Sequence, residues 1–221
     1  MNAVKIPEVA PLKPKLRGLI HLIMSPVSLV AGLTLIAVAD KLKGRITLGI
    51  FTLTAVTLFT CSALYHRVGW KPKYKALWRR IDHANITMLI AGTYTPFAIF
   101  LLDRTNAIIL LALVWSGAIL TSILRITWLG APRWLYVIAY VALGWAAVIY
   151  LPQFWQKGGV AVFLLILAGG LCYTAGGIIY GMKKPNFSIN WFGFHEFFHA
   201  LTAAAFVFHF IAAVLVVYTH H

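Results

Sequence analysis

Seven long apolar stretches, parted by short polar breaks, make up most of this chain. A bilayer core needs about 20 apolar residues per helix, within a range of about 17–25. By that ruler the stretches fall near residues 17–39, 46–66, 81–102, 106–125, 133–151, 159–182 and 195–218. The breaks carry ordinary loop signals: Asp40 to Gly44, the basic segment Arg67 to Arg80 with Pro72, Asp103-Arg104, Gly130 to Pro132, Pro152 followed by Gly158-Gly159, and Lys183 to Asn186. Because the loops are short, consecutive helices are expected to run antiparallel. The pattern therefore predicts an all-α fold: a seven-transmembrane-helix bundle over 17–221, preceded by a short segment, 1–16. That segment holds Lys5, Lys13 and Lys15 among Pro7, Pro11 and Pro14. The apolar run after it exceeds a signal-peptide core of about 7–15 residues, so no cleavable leader is expected.

Composition agrees with a membrane solvent. Of 221 residues, 61% are hydrophobic and 11% charged, too little polar surface for a water-soluble domain of this size. The formal charge of +14, from nineteen Lys and Arg against five acids, raises the question of nucleic acid. The basic residues are scattered in clusters between apolar runs, which is how membrane proteins set topology, and no nucleic-acid partner is expected. Counted by alternate loops, fourteen fall on one side, including Arg17, Arg67, Arg79, Arg80, Arg125 and Lys183. The other side has Lys41, Lys43, Arg45, Arg104 and Lys157. The positive-inside rule then places the N-terminus in the cytoplasm and, after seven crossings, the C-terminus outside, in a plasma (inner) membrane. Cys61 and Cys172 lie within apolar runs and read as core-filling thiols. The tryptophans fall mostly at span ends, as an interfacial belt does.

Chemistry concentrates at the entry to the last apolar run, Trp191 to Thr202, where His195 and His199 stand four residues apart. On a helix such residues share a face about 5–6 Å apart, close enough for two imidazoles to reach one ion. Structural zinc sites take four ligands and catalytic ones usually three plus water, so a third ligand is needed. The candidates are His21, His66, His83, His209 and the pair His220-His221. Topology selects among them. The second span ends at His66, the third begins with Asp82-His83 on the same side, and the seventh begins there with His195 and His199. His209 lies ten residues, about 15 Å, beyond His199 and cannot join them. Ser62 sits one turn from His66. Interfacial snorkelling explains any one of these groups alone, with Asp82 also favoured by a helix N-terminus, but not several helices supplying them at one depth. A metal site of His66, His195 and His199 is therefore expected, with Zn²⁺ the best match to nitrogen ligands. Asp82 would accept a proton from water at the site or orient that water, and Ser62 would hydrogen-bond to water or ligand. His83, about 100° round the helix from Asp82, points elsewhere. His21, near the same end, is expected to be a hydrogen-bonded packing residue, with a place in the wall of the cavity as the alternative. Pro96 within Gly92 to Pro96 is expected to kink its helix and free a carbonyl, for which Thr93 or Thr95 offers a partner. His195 to His199 also matches H-E-x-x-H, the zinc-protease motif in which Glu196 would be the base.

Together, Ser62-Ala-Leu-Tyr-His66, Asp82-His-Ala-Asn-Ile86 running into Ala91 to Phe97, and His195-Glu-Phe-Phe-His199 resemble the haemolysin III branch of the progestin and adiponectin receptor family. The resemblance implies a seven-helix bundle with zinc near the inner face. By it His66, His195 and His199 match the zinc ligands, Asp82 the residue that holds the water, and Ser62 its neighbour. The wider superfamily includes alkaline ceramidases, which implies hydrolysis of a lipid amide, while the bacterial branch is named for haemolysis and linked with membrane lipid and energy homeostasis. The first expectation is a zinc-dependent intramembrane hydrolase with Asp82 managing the proton and a membrane lipid or fatty-acyl ligand as partner. The second is non-enzymatic: a receptor-like, channel-like or cytolytic protein whose zinc staples the second and seventh helices. A metalloprotease using Glu196 is the third.

Overall fold

The computed structural model describes residues 14–128, 130–188 and 190–219. Residues 1–13 of the expected segment 1–16, with Lys5 and Lys13, and the candidates His220 and His221 lie outside the described residues. The described chain is helical: α1 Leu19–Val38, α2 Leu42–Arg67, α3 Pro72–Leu101, α4 Arg104–Thr127, α5 Arg133–Gly144, a 3-10 turn Val148–Tyr150, α6 Leu151–Met182 and α7 Phe194–Thr219. No strand occurs among the described residues, and the β-like feature there is an isolated bridge between Ser188 and Phe192. Among the described residues, six stretches are long and apolar enough to cross a membrane: α1, α2, α3, α4, α7 and Trp134–Met182, which joins α5 to α6. The protein is a multi-pass helical membrane protein.

Two boundaries differ from the sequence reading. The basic segment Arg67 to Arg80 is not a loop for most of its length. Pro72 takes the first turn of α3, where its missing N–H costs nothing, and Lys73 to Arg80 are helical. Asp82 therefore lies about 15 Å inside α3, away from its positive end. The fifth apolar stretch is not a single helix either. Helix α5 stops after 12 residues, and the chain passes through the 3-10 turn into α6, which Gly159 (φ 73°) interrupts. Gly181 faces Val137, Gly177 faces Val141, and Trp145 Nε1 donates to Thr174 Oγ1 at 2.9 Å. The far part of α6 thus runs back along α5, with the break at Gly159 midway between the paired residues. A positive φ is open to glycine at little cost, which suits the residue to that reversal.

The most buried of the candidate spans is α3, which touches α2, α4, α5, α6 and α7. Lipid offers no hydrophobic drive for helix pairing, so close approach and polar contacts between helices supply it. A side chain at Gly92 would collide with Thr54, and one at Gly32 with Thr52, which is how α3 and α1 come close to α2. Ser25 and Thr60 share a hydrogen bond at 2.7 Å between α1 and α2, and Thr87 and Ser122 one at 3.0 Å between α3 and α4. Outward positions are apolar, for instance Val30, Leu53 and Ile149. Helix α3 continues through Pro96. The hydroxyls of Thr93 and Thr95 donate to the Leu89 and Ala91 carbonyls, not to that of Gly92, which Pro96 leaves without its amide. Cys61 and Cys172 are free and half-buried rather than core-filling.

Candidate metal centre

Antiparallel pairing brings the end of α2 beside the start of α7, and α3 runs parallel to α7 past both. His66 from the last turn of α2 meets His195 and His199 from the first turns of α7, and one nitrogen from each of the three lies within 4.8 Å of the others. His66 Nε2 and His195 Nε2 are 3.1 Å apart. Zinc–imidazole bonds of about 2.0–2.1 Å at tetrahedral angles place nitrogens roughly 3.3 Å apart, so the spacing and the donor set fit such an ion. His66 and His199 are buried and His195 partly so, and neutral imidazole is the form that ligates. The cluster can hold a metal.

Asp82 approaches from α3, with Oδ2 3.8 Å from His66 Nε2. Both side chains are buried. Ser62 Oγ, also buried, lies near that carboxylate but makes no short hydrogen bond. The sequence therefore located His66, Asp82, Ser62, His195 and His199 in one place. His83 is not one of the clustered residues: its Nε2 lies 3.2 Å from the Tyr180 hydroxyl in the wall of the same cavity, and His209 sits elsewhere, 3.1 Å from the Ile166 carbonyl.

Two features go beyond what the sequence indicated. His21 is part of the cluster: its ring lies flat on His199, centroids 3.8 Å apart and planes 6° from parallel. Neither of its nitrogens has a hydrogen-bond partner in the protein, contrary to the expected bonded packing role. The signal was available, since a histidine in an apolar helix is costly unless it faces the interior. The second feature is the chain entering α1. Gly18 (φ 78°) packs so tightly that a Cβ there would fall 2.5 Å from the His66 Cβ. Just before it, Lys15 N donates to the Asn190 carbonyl at 2.9 Å, and its ammonium lies 4.4 Å over the Trp191 ring.

Arg17 pairs with Glu196 through Nε and Oε1. The other carboxylate oxygen, Oε2, accepts from Gly193 N at 2.8 Å, capping the start of α7. Glu196 is thus engaged by the entering chain, which speaks against the base role that a zinc protease requires. Arg17→Ala would leave that buried carboxylate without its cation. It is expected to cost about 2 kcal/mol, discounted for the partly exposed arginine, and to lower the thermal midpoint in detergent.

The cluster opens into a cavity that runs through the bundle between α3, α5, α6 and α7. Its walls are almost wholly apolar, including Leu58, Leu89, Phe97 and Phe154. Asp82, Ser62 and the histidines stand at one end, and His209 and Tyr173 further along.

Residues 10–210 match the family model described as haemolysin-III related. The chain is 35% identical to the hemolysin-3 homolog of Bacillus subtilis (strain 168) over 138 residues, 62% of this chain and 64% of that protein. The match thus spans slightly less than two thirds of that relative's length. To hemolysin-3 of Bacillus cereus it is 31% identical over 171 residues, 76% of this chain and 78% of that protein. A match running from the entry to α1 to the last turns of α7 takes in every residue of the histidine cluster, and the chain belongs to the haemolysin-III related family.

Proposed function

We propose that this protein is a zinc-dependent hydrolase of a lipid amide. The observation that carries the reading is a buried three-histidine cluster, with a carboxylate and a hydroxyl beside it, opening into an apolar cavity. His66, His195 and His199 would hold the zinc, which when bound supplies Lewis acidity and a water of lowered pKa. The cavity would take the acyl chain and exclude bulk water. Asp82, the acid beside His66, would take the proton from the attacking water and return it to the leaving nitrogen. Ser62 would orient the water or the amide. His21 would hold the His199 ring at its angle by stacking.

The same reading puts the bundle in the plasma membrane with seven crossings, N-terminus in the cytoplasm and C-terminus outside. Its support is the basic asymmetry between alternate loops and the reversal at Gly159, which gives α5 and α6 opposite directions. A reporter fused after His221 should signal from the outer side, and a cytoplasmic signal would defeat the orientation.

The function is tested by fatty-acid release from an N-acyl lipid amide in vesicles, comparing metal-loaded with chelator-stripped protein. Release that depends on zinc supports the hydrolase. A second reading rests on the names of the two Bacillus relatives, one hemolysin-3 and the other a hemolysin-3 homolog. In it the zinc only staples α2 to α7, and the protein permeabilises membranes. Dye leakage from the same vesicles without amide cleavage would select it. In either case protons compete with the metal for imidazole, so affinity falls as pH falls. Zinc is expected to be lost progressively on acidification, measured by metal analysis after desalting.

A further inference from the structure

His209 is buried on α7, about 15 Å along the axis from His199. Gly169 of α6 makes room for its ring, since a Cβ there would lie 2.3 Å from Nε2. Nε2 is 3.1 Å from the Ile166 carbonyl, which can only accept, so Nε2 carries the proton and Nδ1 is left as an acceptor. Nδ1 is buried and meets no donor in the protein. Tyr173, its ring centroid 5.6 Å from that of His209, has a buried hydroxyl that also makes no hydrogen bond within the protein. The neighbouring Thr93 hydroxyl donates to Leu89 O at 2.8 Å, and although its oxygen lies on the Tyr173 side, the Tyr173 hydroxyl makes no hydrogen bond to it.

Buried polar groups are ordinarily satisfied, the more so at membrane depth where water is scarce. Here an acceptor and a donor stand unmet at one level, and both residues line the cavity that begins at the histidine cluster. A carbonyl would satisfy the tyrosine alone, and a charged group would be stranded among apolar walls. A hydroxyl satisfies both, donating to His209 Nδ1 and accepting from Tyr173.

We propose that His209 and Tyr173 form a hydroxyl-binding subsite at the far end of the cavity. The lipid held there carries a hydroxyl about 15 Å from the group at the histidine cluster. The proposal rests on reading the cavity as an acyl-chain site. It is tested with the metal-loaded protein in nanodiscs by measuring the binding of stearate and of hydroxystearate bearing its hydroxyl mid-chain. Hydroxystearate is expected to bind roughly five- to tenfold tighter, the worth of one or two net hydrogen bonds. Tyr173→Phe, which keeps the ring, and His209→Phe should each make the two acids bind alike with zinc content unchanged. Equal binding of the two acids to the unaltered protein would mean that the groups hold only water, and would overturn the subsite while sparing the acyl cavity. A preference surviving in Tyr173→Phe would overturn it too. Binding of neither acid would fell the acyl-chain reading, and the subsite with it.

Discussion

Replacing His66, His195 or His199 by alanine is expected to strip most of the zinc from the purified protein, whereas His209→Ala leaves it in place. Each of the three rings supplies one nitrogen to a cluster whose donors all lie within 4.8 Å of one another. Removing any one leaves two protein ligands, too few for the usual zinc site. His209 instead bonds to the Ile166 carbonyl. The His66 variant is the most telling, because His66 alone comes from α2. Its loss also unties α2 from α7, so a fall in thermal stability should accompany the loss of metal. The control matters because His209 is about as buried as His66, and general damage to the bundle would affect both classes alike. Metal analysis of the four proteins after identical purification checks the expectation, and full zinc occupancy in His66→Ala would remove α2 from the site.

The second large effect concerns the proton. Asp82→Asn keeps the shape of the side chain beside His66 but cannot act as a base. It should retain zinc while lowering amide hydrolysis by about a hundredfold or more. Glu196→Gln should leave activity per folded molecule within about tenfold, because Glu196 is occupied by Arg17 and Gly193. A zinc protease requires the reverse, and activity lost in Glu196→Gln but kept in Asp82→Asn would restore that reading. If neither change alters function while His66→Ala destabilises the fold, the metal is structural and the second reading of the protein stands.

The parts of this arrangement that could be read from the chain are those governed by local repeats. Apolar length located the helices, and the four-residue spacing put His195 and His199 on one face. Counting spans then carried His66, Ser62 and Asp82 to the same depth. What stayed hidden has physical reasons. Hydropathy measures preference for lipid, not helicity, so the first turns of α3, rich in Lys73, Lys75, Arg79 and Arg80, read as a loop. The break between α5 and α6 is made of residues as apolar as their neighbours, Trp145 to Ala147, and leaves no mark in that measure. The Arg17–Glu196 pair joins residues 179 positions apart, and nothing local marks either as the other's partner. His21 was seen, but its stacking on His199 depends on how α1 lies against α7, which only the packing decides.

X-ray absorption at the zinc edge of the purified, unaltered protein tests the centre most directly. The account predicts bound zinc with three imidazole nitrogens at about 2.0–2.1 Å and one further light-atom neighbour. A shell containing sulfur at about 2.3 Å, or protein that carries no zinc when purified in its presence, would contradict it.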